Sequence, residues 1–222
     1  IFISLIAVAF LGNFLPAFLF TYAETGISSG YAGMLNSCTP IFTLIIGSVF
    51  FKQPLIKLQI IGVLIGTVGI IGLVNGVNVV DTSGSIFHVF AVVLATIFYA
   101  TAVNTIRFNL SHIKPIKMTS VAFTLSFLPA LILFFVFDTP ETIMANKHST
   151  SALVYILILA VVGTAFAVLV FNHLINNSSA LFASSVTYFI PIVAVLIGLI
   201  DGETISWMQV FSMLIILGGV FM

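Results

Sequence analysis

Charge is what this sequence has least of: six Lys or Arg and six Asp or Glu in 222 residues, 5% of the chain, with a formal net charge of zero. Soluble folds cover themselves with charged side chains, and so few cannot coat a chain of this length. No basic tract is present, so nucleic acid, whose phosphates demand clustered Lys and Arg, is excluded as an expected partner. The single cysteine, Cys38, excludes an intrachain disulfide and any multi-cysteine metal cluster, and in its apolar setting it reads as a small packing residue. There is no nucleophilic-serine motif, no paired histidine ligands and no phosphate-binding glycine loop. The sequence therefore calls for no enzyme activity, no metal and no cofactor.

What is present is hydrocarbon: 61% of the residues are hydrophobic, and the mean hydropathy is +1.32. Lipid must be the solvent for most of it. A bilayer-spanning helix needs about 20 mostly apolar residues. Eight segments meet that need, running approximately Ile1 to Tyr22, Ser28 to Phe51, Leu58 to Asn75, Ile86 to Arg107, Lys117 to Phe137, Ala152 to Ile175, Ser179 to Ile200 and Ile205 to Met222. The expected fold class is all-α, a polytopic membrane helix bundle. The connections are too short for a soluble domain. Apolar runs at Ile1 and Met222 lead to the expectation that the chain is a piece of a longer protein.

Charge segregates across these eight helices. Lys52, Lys57, Arg107, Lys114 and Lys117 fall on one side, with only Lys147 opposite, while Glu24, Asp81, Asp138, Glu141, Asp201 and Glu203 fall on the other. Positive loops stay cytoplasmic, so the first visible helix is expected to run outward and the Lys/Arg loops to face the cytoplasm, in a cell inner (plasma) membrane. The triplets at Asn109 and Asn176 that match a glycosylation acceptor fall on that same side and read as incidental.

The sequence also repeats itself. Residues 12–40 match residues 163–191 at a constant offset of 151, pairing Gly12 with Gly163, Phe20 with Phe171, Ser28 with Ser179, Ala32 with Ala183 and Pro40 with Pro191. After a one-residue shift, Gln59 pairs with Gln209 and Gly69 with Gly219. The offset moves each helix five places along, and an odd shift inverts its direction across the membrane. Such inverted repeats build a substrate site near the midplane that faces either side in turn.

The first copy, SSGYAGMLNSCTPIFTLIIGSVFFKQPLIKLQIIGVLIGTVGIIG from Ser28, and the second, SSALFASSVTYFIPIVAVLIGLIDGETISWMQVFSMLIILGGV from Ser178, resemble the drug/metabolite transporter superfamily, specifically its EamA-type members. The shared pattern is a turn of small residues, a proline-containing helix, an acidic residue, then Gln and spaced glycines. Glu203 supplies the acidic residue in the second copy, whereas the first has Lys52 there. The resemblance implies a ten-helix secondary transporter, five plus five, passing small metabolites through a central cavity. On that mapping residues 1–75 carry helices three to five of the first repeat and residues 86–222 the second repeat.

Polar side chains inside apolar helices face other helices or a wet cavity. The candidate substrate-binding residues are Asn36, Tyr99, Asn104, Asn172, His173, Thr187 and Tyr188, with Pro40 and Pro191 as kinks or hinges. Asn36 and Thr187 each precede a proline by four residues. The missing proline N–H leaves their carbonyls unpartnered, free to serve a ligand or a neighbouring helix. Each of these side chains has a plainer use as interhelical glue. His173 is the titratable group to weigh for proton coupling, against a plainer interfacial role.

The apolar segments hold no Asp or Glu, so the substrate expected is neutral or zwitterionic, such as an amino acid. Gly62, Gly66 and Gly69, with Ser212 and Gly219, form small-residue faces suited to scaffold packing or a homodimer contact. The alternative to a transporter is a receptor or assembly protein on the same scaffold, with the bilayer as partner in either case.

Overall fold

A computed structural model describes residues 1–27, 29–76, 86–137, 139–145, 149–193 and 207–220. Its helical elements are α1 (Phe2–Glu24), α2 (Ser29–Asn36), α3 (Thr39–Phe51), α4 (Lys57–Gly76), α5 (Ile86–Asn109), α6 (Pro115–Val136), α7 (Thr139–Ala145), α8 (Ser149–Asn177), α9 (Ala180–Val193) and α10 (Trp207–Val220). No strand occurs among the described residues. α1, α5, α6 and α8 are long and apolar enough to cross a membrane, while α3, α4, α9 and α10 carry shorter apolar stretches.

Two sequence expectations change. The second apolar segment, expected as one helix from 28 to 51, is broken at Ser37 and Cys38 into α2 and α3. Pro40 stands in the first turn of α3, where its missing N–H does no harm, and its ring excludes a continuous helix through the preceding turn. The connection expected between 138 and 151 contains the short helix α7. Residues 194–206, including Asp201 and Glu203, lie outside the described residues.

α5 sits at the centre because its sequence is rich in small residues. Ala91, Ala95, Ala100 and Ala102 are buried, letting neighbouring backbones approach closely. α1, α6, α8 and α9 close around its C-terminal half through Val8, Val103, Met118, Ile175 and Ala183. The C-terminal end of α1, the start of α2 and α5 share a second cluster at Ala23, Ala32 and Val92.

α4 and α10 form the other tight pair. A Cβ placed on Gly219 would stand 2.6 Å from the Gly62 carbonyl oxygen and 2.6 Å from the Gly66 nitrogen. One on Gly69 would stand 2.9 Å from the Ser212 carbonyl oxygen. The glycine face read as a scaffold or homodimer contact is therefore occupied within the chain.

Both long helices that carry the repeat's matched glycines widen there into π-helical turns, at Phe10–Phe14 in α1 and Leu159–Phe166 in α8. In α1 the turn is followed by Pro16, which has no N–H for the carbonyl of Gly12 four residues back. Ala167 occupies the matching position in α8, so the second wide turn forms without a proline. Side chains meet the carbonyls in the α1 turn: Asn13 Nδ2 donates to Val8 O (3.3 Å) and Ser126 Oγ of α6 to Ala9 O (3.1 Å). By contrast, α8 is exposed at every residue from 150 to 164.

Candidate functional site

The two proline helices meet where each is interrupted. α2 ends at Asn36, and α9 tightens into a 3₁₀ turn over Val186–Tyr188. Each proline frees a carbonyl four residues earlier, and the structure gives each a partner. Asn36 O accepts from Thr39 Oγ1 at 2.5 Å, a bond within its own turn. Thr187 O accepts from Ser37 Oγ at 2.9 Å, a bond between the two crossing helices. Ser37 is fully buried and has a second acceptor, Gly33 O of its own helix, at 3.2 Å. One hydroxyl proton thus has a choice between the crossing helix and its own turn. Close approach is helped by Gly33, where a Cβ would lie 3.0 Å from Ile190 Cγ2.

Beside this crossing lies a cleft of about 160 Å³ between α4, α9 and α10. Gln59, Gly62, Val63, Ser185, Tyr188 and Gly219 are among its walls. Tyr188 is 1% exposed, lies against Gly66 and donates its hydroxyl to Val63 O at 3.3 Å, an oxygen that also accepts Thr67 Oγ1 at 2.7 Å. Ser185 donates to Leu181 O at 2.9 Å. Gln59 Oε1 is buried with no hydrogen-bond partner, leaving an acceptor for a ligand's N–H or O–H. Among the described residues, no charged one lines the cleft.

The sequence candidates separate on this geometry. Asn36, Thr187 and Tyr188, with Pro40 and Pro191, come together at the crossing and its cleft. The others fall elsewhere. Tyr99 is half-buried on α5 with its ring 6.1 Å from that of Phe20. Asn104 is fully buried and bonds Thr43 O (3.0 Å) and Ala100 O (2.9 Å). Asn172 is 3% exposed and bonds Thr119 Oγ1 at 2.9 Å, joining α8 to α6. These two amides tie helices together. His173, one residue further round α8, is exposed and stands apart from the crossing.

Sequence reasoning passed over Ser37, whose position next to a proline-freed carbonyl's owner was the available signal. It also passed over His88. That ring stacks on Tyr22 with centroids 4.9 Å apart, lies against Gly26 and stands 3.5 Å from Thr25 Oγ1, fastening the start of α5 to the turn after α1. No residue pattern announces such a contact.

Long apolar helices, interrupted helices crossing through buried polar bonds and the scarcity of charge define a polytopic α-helical integral membrane protein. Residues 1–75 and 86–222 match the EamA-like transporter family, and the chain belongs to it. It is 30% identical over 189 residues to an uncharacterized inner membrane transporter, YedA, of Escherichia coli (strain K12), covering 84% of this chain and 59% of that protein. An uncharacterized transporter of Archaeoglobus fulgidus is 25% identical over 175 residues, 79% of this chain and 60% of the other. The chain thus spans about three fifths of the length of these curated relatives. A solved crystal structure superposes with a TM-score of 0.71 at 16% identity, over 96% of this chain and 74% of the other, which speaks to the fold alone. The family and these relatives are named as transporters.

Proposed function

We propose that the protein is a secondary transporter that moves a small neutral or zwitterionic metabolite, such as an amino acid, by alternating access. The observation that carries this reading is the crossing of two repeat-related broken helices through the Ser37–Thr187 bond, beside a cleft with uncharged polar walls. A hydroxyl with two acceptors can change partner as the helices rock, without leaving a donor stranded. Helix breaks that line a cavity are where membrane transporters hold substrates.

The same reading takes residues 1–75 and 86–222 as parts of two inverted five-helix repeats spanning the membrane eight times, with the Lys/Arg loops cytoplasmic. Two pairs of features support it. The π-helical turns at Phe10–Phe14 and Leu159–Phe166 overlap at the 151-residue offset, and the helix break at Ser37 maps onto Tyr188 in the 3₁₀ turn of α9. On that symmetry α8 corresponds to α1, which α5 and α6 cover. Counterparts of α5 and α6 belong on the exposed face of α8.

Flux into proteoliposomes tests the function. Uptake of at least one neutral or zwitterionic amino acid or metabolite, competed by its analogues and not by small cations, is the expected result. Transport confined to cationic solutes would sink the substrate assignment, and no flux for any solute in a broad panel would favour a non-transporting scaffold.

A further inference from the structure

Five of the chain's six basic side chains, Lys52, Lys57, Arg107, Lys114 and Lys117, gather at one end of the bundle, and the helix-end contacts fix them there. The rings of Phe51 and Phe108 stack with centroids 5.3 Å apart, joining the end of α3 to the end of α5. Asn109 Nδ2 donates to Ser4 Oγ at 3.3 Å and adds the start of α1. The acids among the described residues, Glu24 in the last turn of α1 and Glu141 in α7 beyond the end of α6, both lie at the opposite end. This end is positive with no described counter-charge.

The charge is best organised at one corner. Arg107, in the last turn of α5, is half-buried and donates from Nη1 to Asn176 O near the end of α8 at 3.0 Å. Asn176 Nδ2 donates in turn to Ile113 O at 3.0 Å, beside Lys114, and Leu110, 0% exposed, pins the connection between. A carbonyl carries no net charge, so the guanidinium keeps its charge and its other donors for an anion. Lys114 and Lys117 flank the start of α6, three residues apart and both exposed. Apolar side chains stand exposed among these cations: Phe108 next to Arg107, and Ile116 between the two lysines. Cations interleaved with exposed apolar groups suit the boundary where phosphates meet acyl chains.

We propose that this corner, Arg107 with Lys114 and Lys117, is a docking site for the headgroup phosphate of an anionic phospholipid, whose acyl chains lie along Phe108 and Ile116. The bound phosphate neutralises a half-buried guanidinium and clamps the ends of α5, α6 and α8 together. Nothing in this depends on which solute the protein moves, or on whether it moves one. The competing reading is a water-solvated basic face that has no preference among lipids.

Thermal unfolding in nanodiscs of phosphatidylcholine alone, and of phosphatidylcholine with phosphatidylglycerol, separates the two readings. The site predicts a parent Tm higher by about 3 °C or more in the anionic discs. Lys114→Gln/Lys117→Gln, which changes exposed side chains only, is expected to lose at least half of that gain, and Arg107→Gln likewise, whatever either does to the Tm in neutral discs. Lys52→Gln/Lys57→Gln is expected to keep most of it. Equal parent Tm values in the two lipids would overturn the proposal, as would a full gain in the Lys114/Lys117 variant or an equal loss in the Lys52/Lys57 variant. Inorganic phosphate added to neutral discs should leave the Tm unchanged; a gain matching that of the lipid would assign the corner to a free anion and overturn the lipid site.

Discussion

Replacing Ser37 with Ala removes one oxygen and probes the crossing of the two proline helices. The lost bond, Ser37 Oγ to Thr187 O at 2.9 Å, is a neutral one whose net worth is about 0.5–1.5 kcal/mol. Its loss does not strand the Thr187 carbonyl, which Pro191 deprives of a helical N–H but which also accepts a backbone N–H at the end of the 3₁₀ turn. The hydroxyl also shares its proton with Gly33 O at 3.2 Å, so the bond is not at full strength. A destabilisation of about 0.5–1.5 kcal/mol follows, an apparent Tm lower by about 1–6 °C for a chain of this size. Thr43→Val is the matched control. That hydroxyl is also fully buried, but it bonds only Thr39 O in its own helix at 2.9 Å, and its loss is expected to cost under about 0.5 kcal/mol. Thermal unfolding in one detergent measures both. A Ser37→Ala shift no larger than that of Thr43→Val would refute the reasoning that the crossing bond holds the two helices together.

Four further outcomes follow from the packing. Gly219→Ala pushes a methyl into the Gly62 and Gly66 backbone and is expected to cost more than about 2 kcal/mol, whereas Gly218→Ala, with nothing within 4 Å, stays near neutral; unfolding temperatures compare the two. Gly26→Ala would drive a methyl into the His88 ring, 2.5 Å away, and unstack it from Tyr22, which faster hydrogen exchange at the start of α5 would report. Asn172→Leu should lower stability by about 1–2 kcal/mol, and combining it with Thr119→Val should add little, because both remove the same 2.9 Å bond. His173→Gln, on an exposed side chain, should leave the pH profile of transport unchanged in the flux assay.

Much of the fold was legible because lipid imposes a length and a composition on each helix. The residues paired by the 151-residue offset share local geometry: Gly12 and Gly163 both sit in widened turns, and Pro40 and Pro191 both lack the N–H that a carbonyl four residues earlier would meet. The sequence could say that Thr187 O needed a partner. It could not say that the partner is Ser37, because the two lie 150 residues apart and meet only through the crossing. Likewise the partners of Asn104 and Asn172, Thr43 O and Thr119 Oγ1, lie on other helices and cannot be read from a linear sequence. Asn172 is buried and His173 exposed because about a hundred degrees of helix rotation separate them, which a list of polar residues does not show.

The claim that the cleft beside the crossing is the transport site can be tested at Ser185, which is 8% exposed on its wall. In a Cys38→Ala background, Ser185→Cys would be labelled with a small membrane-impermeant thiol reagent in proteoliposomes, with and without a transported solute. The account predicts that labelling blocks flux and that the solute changes the labelling rate. Full flux after complete labelling would contradict it.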